Sequence, residues 1–175
     1  MFFIVKMLII LVDFNIYIYV YVCVCVCVSQ RPFIYLIYRV TVVNVGLGMR
    51  NEVILVKIEG SNACATSKFS GAGGTTPLYI TNATEFMLRL GVGLFDVDLM
   101  TMNCEGCEFE ALEMLLSTNL IEHFKNIQFA THSTIAGLRD PLGRYCKIHQ
   151  LLSRTHRPTY QYKFIWESWR RRDEP

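Results

Sequence analysis

The stretch Val97-Asp98-Leu99-Met100-Thr101-Met102-Asn103-Cys104-Glu105-Gly106-Cys107-Glu108-Phe109-Glu110-Ala111-Leu112 decides how the chain is read. Residues 97–102 are short, nearly continuous in apolar character and closed by polar residues, the signature of a buried strand. After the break at residues 103–106 the period changes. Phe109, Leu112, Leu115 and Leu116 recur at the spacing of one helical face, whereas Glu110, Glu113 and Ser117 project the other way. Lys125–Thr131 then reads as a second strand. A strand, a helix and a strand in one sheet must be parallel and joined by a right-handed crossover. Ligands of such sheets bind beyond the carboxyl ends of the strands, which places Asn103 and Glu105 at a binding edge.

The segment 97–108, with its Glu105-Gly106-x-Glu108 turn, resembles the signature of FkbM-type methyltransferases, in which a strand ends in Asp-x-Glu-Gly-x-Glu and a Leu-rich helix follows. Asn126-Ile127-Gln128-Phe129-Ala130-Thr131-His132 is similar to the family's next strand, Tyr160–Trp169 to its terminal strands, and Val40–Ser67 to the stretch before the signature. The resemblance spans roughly residues 38 to 170, and its most specific part is the Glu-Gly-x-Glu turn. It implies a Rossmann-like class I methyltransferase sheet with flanking helices, S-adenosylmethionine as cofactor and a small-molecule or glycan acceptor. Asn103, Glu105 and Gly106 would then line the donor end, with His132 as the base. Asn103 stands where the family has Asp. Residues 31–175 would form a partial, truncated methyltransferase domain, because the glycine loop and ribose-binding acid belong upstream, where the front of this chain has a different character.

That front is apolar. Met1–Val12 is broken only by Lys6, and Ile16–Val28 alternates Ile, Tyr, Val and Cys. Residues 1–30 are long enough for a membrane helix of about 20 residues, but Asp13 and Asn15 fall in the middle, and there is no basic start or cleavage site of a signal peptide. Ile, Tyr, Val and Cys are also what a run of alternating TA and TG dinucleotides encodes, so the segment reads as translated repeat DNA. In water its alternation of β-branched and aromatic residues favours strand pairing. If the segment is an artefact, a cytoplasmic domain remains. If it is expressed and inserted, the protein is a membrane-anchored, non-catalytic interaction domain.

The totals agree with one domain. The chain has 175 residues, 52% hydrophobic and 18% charged, with a net charge of +2 that argues for no nucleic-acid partner. Seven cysteines include the repeat triplet Cys23, Cys25 and Cys27. The remaining four suit reduced thiols, and Cys104-x-x-Cys107, without a second pair, supports no metal site. A redox pair at a helix start is the other reading of these two, since a helix N-terminus lowers thiol pKa.

Elsewhere, Phe33–Val45 and Glu52–Ile58 read as strands around a Gly46-Leu47-Gly48 turn, taken as an ordinary antiparallel connection rather than a cofactor loop. Residues 59–77 read as a surface loop. Asn82-Ala83-Thr84-Glu85 has cap spacing for a helix ending at Gly91. Leu142–Arg154 reads as a helix closed by Pro158, and Thr159–Trp169 as one strand with Tyr160, Tyr162, Phe164 and Trp166 inward. His123, His149 and His156 read as surface positions. For Glu105 and Glu108 a ligand role competes with plain capping of the helix start, and for His132 a role as base or substrate ligand competes with a histidine satisfied by a neighbouring backbone group.

Overall fold

A computed structural model describes residues 6–11, 16–21, 39–56, 75–104, 106–135 and 137–173. Its architecture is mixed α/β, with two mixed sheets and three α-helices. The strands are β1 (Lys6–Leu11), β2 (Ile16–Tyr21), β3 (Arg39–Asn44), β4 (Gly46–Gly48), β5 (Glu52–Val56), β6 (Thr76–Asn82), β7 (Val97–Asn103), β8 (Phe124–Ala130), β9 (His156–Tyr162) and β10 (Trp166–Arg171). The helices are α1 (Ala83–Arg89), α2 (Cys107–Ser117) and α3 (Pro141–Leu152).

The large sheet has the order β3-β2-β1-β7-β8-β10-β9. Its β7–β8 and β2–β3 pairs are parallel. The β1–β2, β1–β7, β8–β10 and β9–β10 pairs are antiparallel. The expected strand, helix and strand thus appear as β7, α2 and β8, within a residue of the expected limits. The alternating front of the chain enters the same sheet, β1 lying against β7 with Lys6 opposite Asn103. Among the described residues no helix is long and apolar enough to cross a membrane.

The core forms around α2, which packs on α1, α3 and β4. Phe109, Ala111, Leu112 and Leu115 of α2 are buried with Met100 and Met102 of β7, Ile127 and Phe129 of β8, and Ile148 and Leu152 of α3. Glu110, expected on the outer face, is buried as well, and its carboxylate accepts from the Met49 N–H. Helix α1 starts as its cap spacing requires, with Asn82 accepting from the Glu85 N–H at 3.0 Å.

Three expectations change. Gly46-Leu47-Gly48 is a short strand parallel to β6, while β5 flanks β6 on the other side, antiparallel. A Cβ at Gly46 would lie 2.5 Å from Ile80 Cδ1, so a larger residue there would need the Ile80 side chain to shift; the segment is no hairpin turn. Strand 159–169 is in fact a hairpin that turns at residues 163–165, and Tyr160, Tyr162 and Phe164 are exposed. Pro158 does not close α3; it sits inside β9, an edge strand, where a missing N–H is tolerated. Residues 33–38 and 57–74, which include parts of the expected strands and loop, lie outside the described residues.

Candidate functional site

The parallel pairing sets Met102 against Phe129, so the two chains leave the sheet side by side, one through Asn103-Cys104 and the other through Thr131-His132. Between them stands the N-terminus of α2. Its cap residue is Gly106 at φ 101°, a left-handed conformation that an L side chain would strain, and it offers no capping side chain.

Glu108 supplies what Gly106 cannot. Its carboxylate folds back, accepting from the Gly106 N–H at 2.7 Å and from the Cys104 N–H at 2.9 Å. A carboxylate at a helix start is also favoured by the helix dipole. The same Oε1 that takes the Cys104 N–H lies 2.6 Å from His132 Nδ1. The Glu108 side chain is 2% exposed and that of His132 is 24%, so the pair runs from the interior to the surface. Of the residues expected here, Glu108 and His132 meet, Gly106 forms the turn, and Asn103 ends β7 half-buried; Glu105 lies outside the described residues. The capping alternative holds for Glu108.

Cys104 and Cys107 are joined in a disulfide. This corrects the expectation of reduced thiols for these two. With Gly106 left-handed the turn brings their Cα atoms to 5.3 Å, inside the window that a disulfide needs. Cys104 is buried and Cys107 half-buried. Among the described residues no group of three or more His, Cys, Asp or Glu side chains is placed to hold a metal ion.

A cavity of about 10 Å³ lies between Glu108, Phe109, Phe129, Thr131, Tyr145 and Ile148. Beyond it is a polar cluster that the sequence reading missed. Glu167 is fully buried; its carboxylate accepts from the Tyr145 hydroxyl and from Trp169 Nε1 at 2.9 Å. His149 Nε2 lies 2.7 Å from Glu167 Oε2. Burial pushes the Glu167 carboxyl up, but the adjacent His149 ring and the Tyr145 and Trp169 donors outweigh it and hold the group below its ordinary value. Burial, and then the bond to Glu167, push the Tyr145 hydroxyl well up.

His156, expected at the surface, is fully buried. Its Nε2 donates to the Phe124 carbonyl at 2.8 Å, and Nδ1 meets the Thr155 hydroxyl at 2.8 Å. His149 and His123 are half-buried, His123 beside Asp96. A signal for the Glu167 cluster was present: Glu167 and Trp169 are two apart in a strand and so share a face.

Compared with protein-family models, curated proteins and solved structures, the chain matches none.

Proposed function

We propose that the rim built by β7, β8 and α2 is that of an FkbM-type, S-adenosylmethionine-dependent methyltransferase, carried by a chain that does not hold the cofactor by itself. The observation that supports the reading is the parallel β7–β8 pair flanking α2, with the Gly106 turn at the carboxyl ends of the strands. That is where open α/β sheets bind their ligands.

Among the described residues, the cavity beside this rim does not fit a nucleoside cofactor. The cavity beside Glu108 has about 10 Å³, room for a single water, whereas small-molecule sites take roughly 300–1,000 Å³. The Glu108 carboxylate is already engaged by two backbone N–H groups and His132. What the rim keeps is an imidazole oriented by a buried carboxylate, the arrangement of a general base. Asn103, Gly106 and, by the resemblance, Glu105 would border the donor in a complete domain.

Titrating S-adenosylmethionine into the full chain by calorimetry should give no binding up to millimolar concentration; a micromolar Kd would overturn the claim that the site is incomplete. Transcripts spanning the codons for residues 25 to 45 test the fragment reading. An upstream exon encoding a glycine loop is expected to join there, and its absence from every transcript would count against it.

A further inference from the structure

We propose that Cys104–Cys107 is a thiol–disulfide exchange site that takes small thiols, with Cys107 as the sulfur attacked and Cys104 as the leaving group. Four observations carry this. First, the bond closes a four-residue turn at the head of α2, where the helix N-terminus favours a thiolate. Second, the two residues differ in exposure: Cys104 is 6% exposed, and Cys107 is half-buried at the first position of the helix. An incoming thiolate therefore meets Cys107 first, and the restricted opening favours a small reagent over a folded partner.

Third, the turn is held without the disulfide. Glu108 bonds the Cys104 and Gly106 N–H groups, and the Cys107 N–H donates to the Cys104 carbonyl at 3.2 Å. Opening the bond therefore leaves the backbone in place and the two sulfurs within reach of each other, so closure is intramolecular with a high effective concentration. Fourth, Gly106 allows the bend at no steric cost, which makes the same turn available to both redox states.

The balance is complete with a dithiol as reductant. Its first thiolate attacks Cys107 Sγ, the disulfide bond breaks, and Cys104 leaves as a thiolate that takes a proton from solvent. The reductant's second thiolate then attacks its own sulfur in the mixed disulfide. Cys107 leaves and is protonated, and the dithiol departs as a cyclic disulfide. Two electrons have passed to the protein, and the two protons lost by the dithiol are matched by two gained. The reverse sequence passes them on to a small disulfide. This site needs no nucleoside cofactor, so its test is independent of the methyltransferase reading.

The test uses the full chain, equilibrated in glutathione and then in dithiothreitol buffers, with each cysteine followed by alkylation and peptide mass spectrometry. Exposed Cys146, a free thiol, is the internal reference. Reversible opening and closing of the Cys104–Cys107 pair is expected, with the circular dichroism of the native fold unchanged. A second arm compares single variants exposed to oxidised glutathione. In Cys104→Ser the remaining Cys107 should form the mixed disulfide at least about ten-fold faster than Cys104 does in Cys107→Ser, as access controls exchange. A bond that opens only when the fold is lost, or equal rates in the two variants, would overturn the proposal. Should one variant not fold, the first arm decides alone.

Discussion

His156 and Glu167 are buried titratable groups, and both make the protein weaker in acid for different reasons. Burial lowers the His156 pKa from its ordinary 6.5, and the bond to the Phe124 carbonyl offsets this only in part. The folded state thus prefers the neutral ring, and its contribution is complete above pH 6.5 and declines as pH falls below that value toward the lowered one. Glu167 is held below its ordinary 4.5, so its contribution is complete above 4.5 and is lost as pH falls through the lowered value. Urea midpoints should therefore fall in two stages on acidification, the first below about pH 6.5 and the second below about 4.5. A midpoint that stays flat from pH 8 to pH 3 would refute the assignment, and His156→Gln should remove the first stage only. The His156 role was not legible, and for Glu167 the signal was its sharing a strand face with Trp169. A histidine between Thr155 and Arg157 carries no local sign of burial, which arises from β9 packing against β8 through β10 and the Phe124 carbonyl. Glu108 was half legible. Helical spacing puts Glu108, four residues before Leu112, on the side of Leu112 and Leu115, and what it bonds there depends on a turn whose shape only Gly106 hints at.

At the level of single elements, α1 illustrates a boundary written in local chemistry. Asn82 accepts from the Glu85 N–H and also donates to the Met49 carbonyl at 2.7 Å, so it ties the helix start to the end of β4. Asn82→Ala should lower the unfolding free energy by about 1–2 kcal/mol, and Asn82→Asp, which keeps the capping oxygen, by less. Urea denaturation at constant slope checks both, and equal losses in the two variants would show that the cap contributes nothing. Such caps, together with the apolar spacing of α2 and α3, are why the helices could be read from the chain. The β9–β10 hairpin could not. Its turn at Lys163-Phe164-Ile165 contains no Gly, Pro, Asn or Asp, and Phe164 takes φ 62°, an uncommon conformation for a bulky residue. The ring of Phe164 stacks 4.7 Å from that of Tyr145, a tertiary contact that outweighs the local preference. Alternation of polar and aromatic residues continues through the turn, so period alone shows one strand where there are two.

For the molecule as a whole, alternation and apolar runs identify strands but not their neighbours. The unit β7, α2 and β8 was legible because it is contiguous, and its parallel pairing follows from the helix between the strands. The placement of β1 against β7 was not, because nothing local in Lys6–Leu11 names a partner so far along the chain. β4 and β6 of the smaller sheet are also distant in sequence, though much less so.

The seat of β1 in the middle of the large sheet bears on how the chain is made. β1 and β2 are made well before β7, as an antiparallel pair whose β1 side is the edge that β7 covers. Roughly eighty residues must follow the end of β2 before that edge is covered, a wait of about 4–16 s at ordinary elongation rates. For that interval the nascent chain presents an uncovered apolar ribbon able to template the same ribbon on a neighbouring polysome. Chaperone supply during translation should therefore bear on the yield of folded protein.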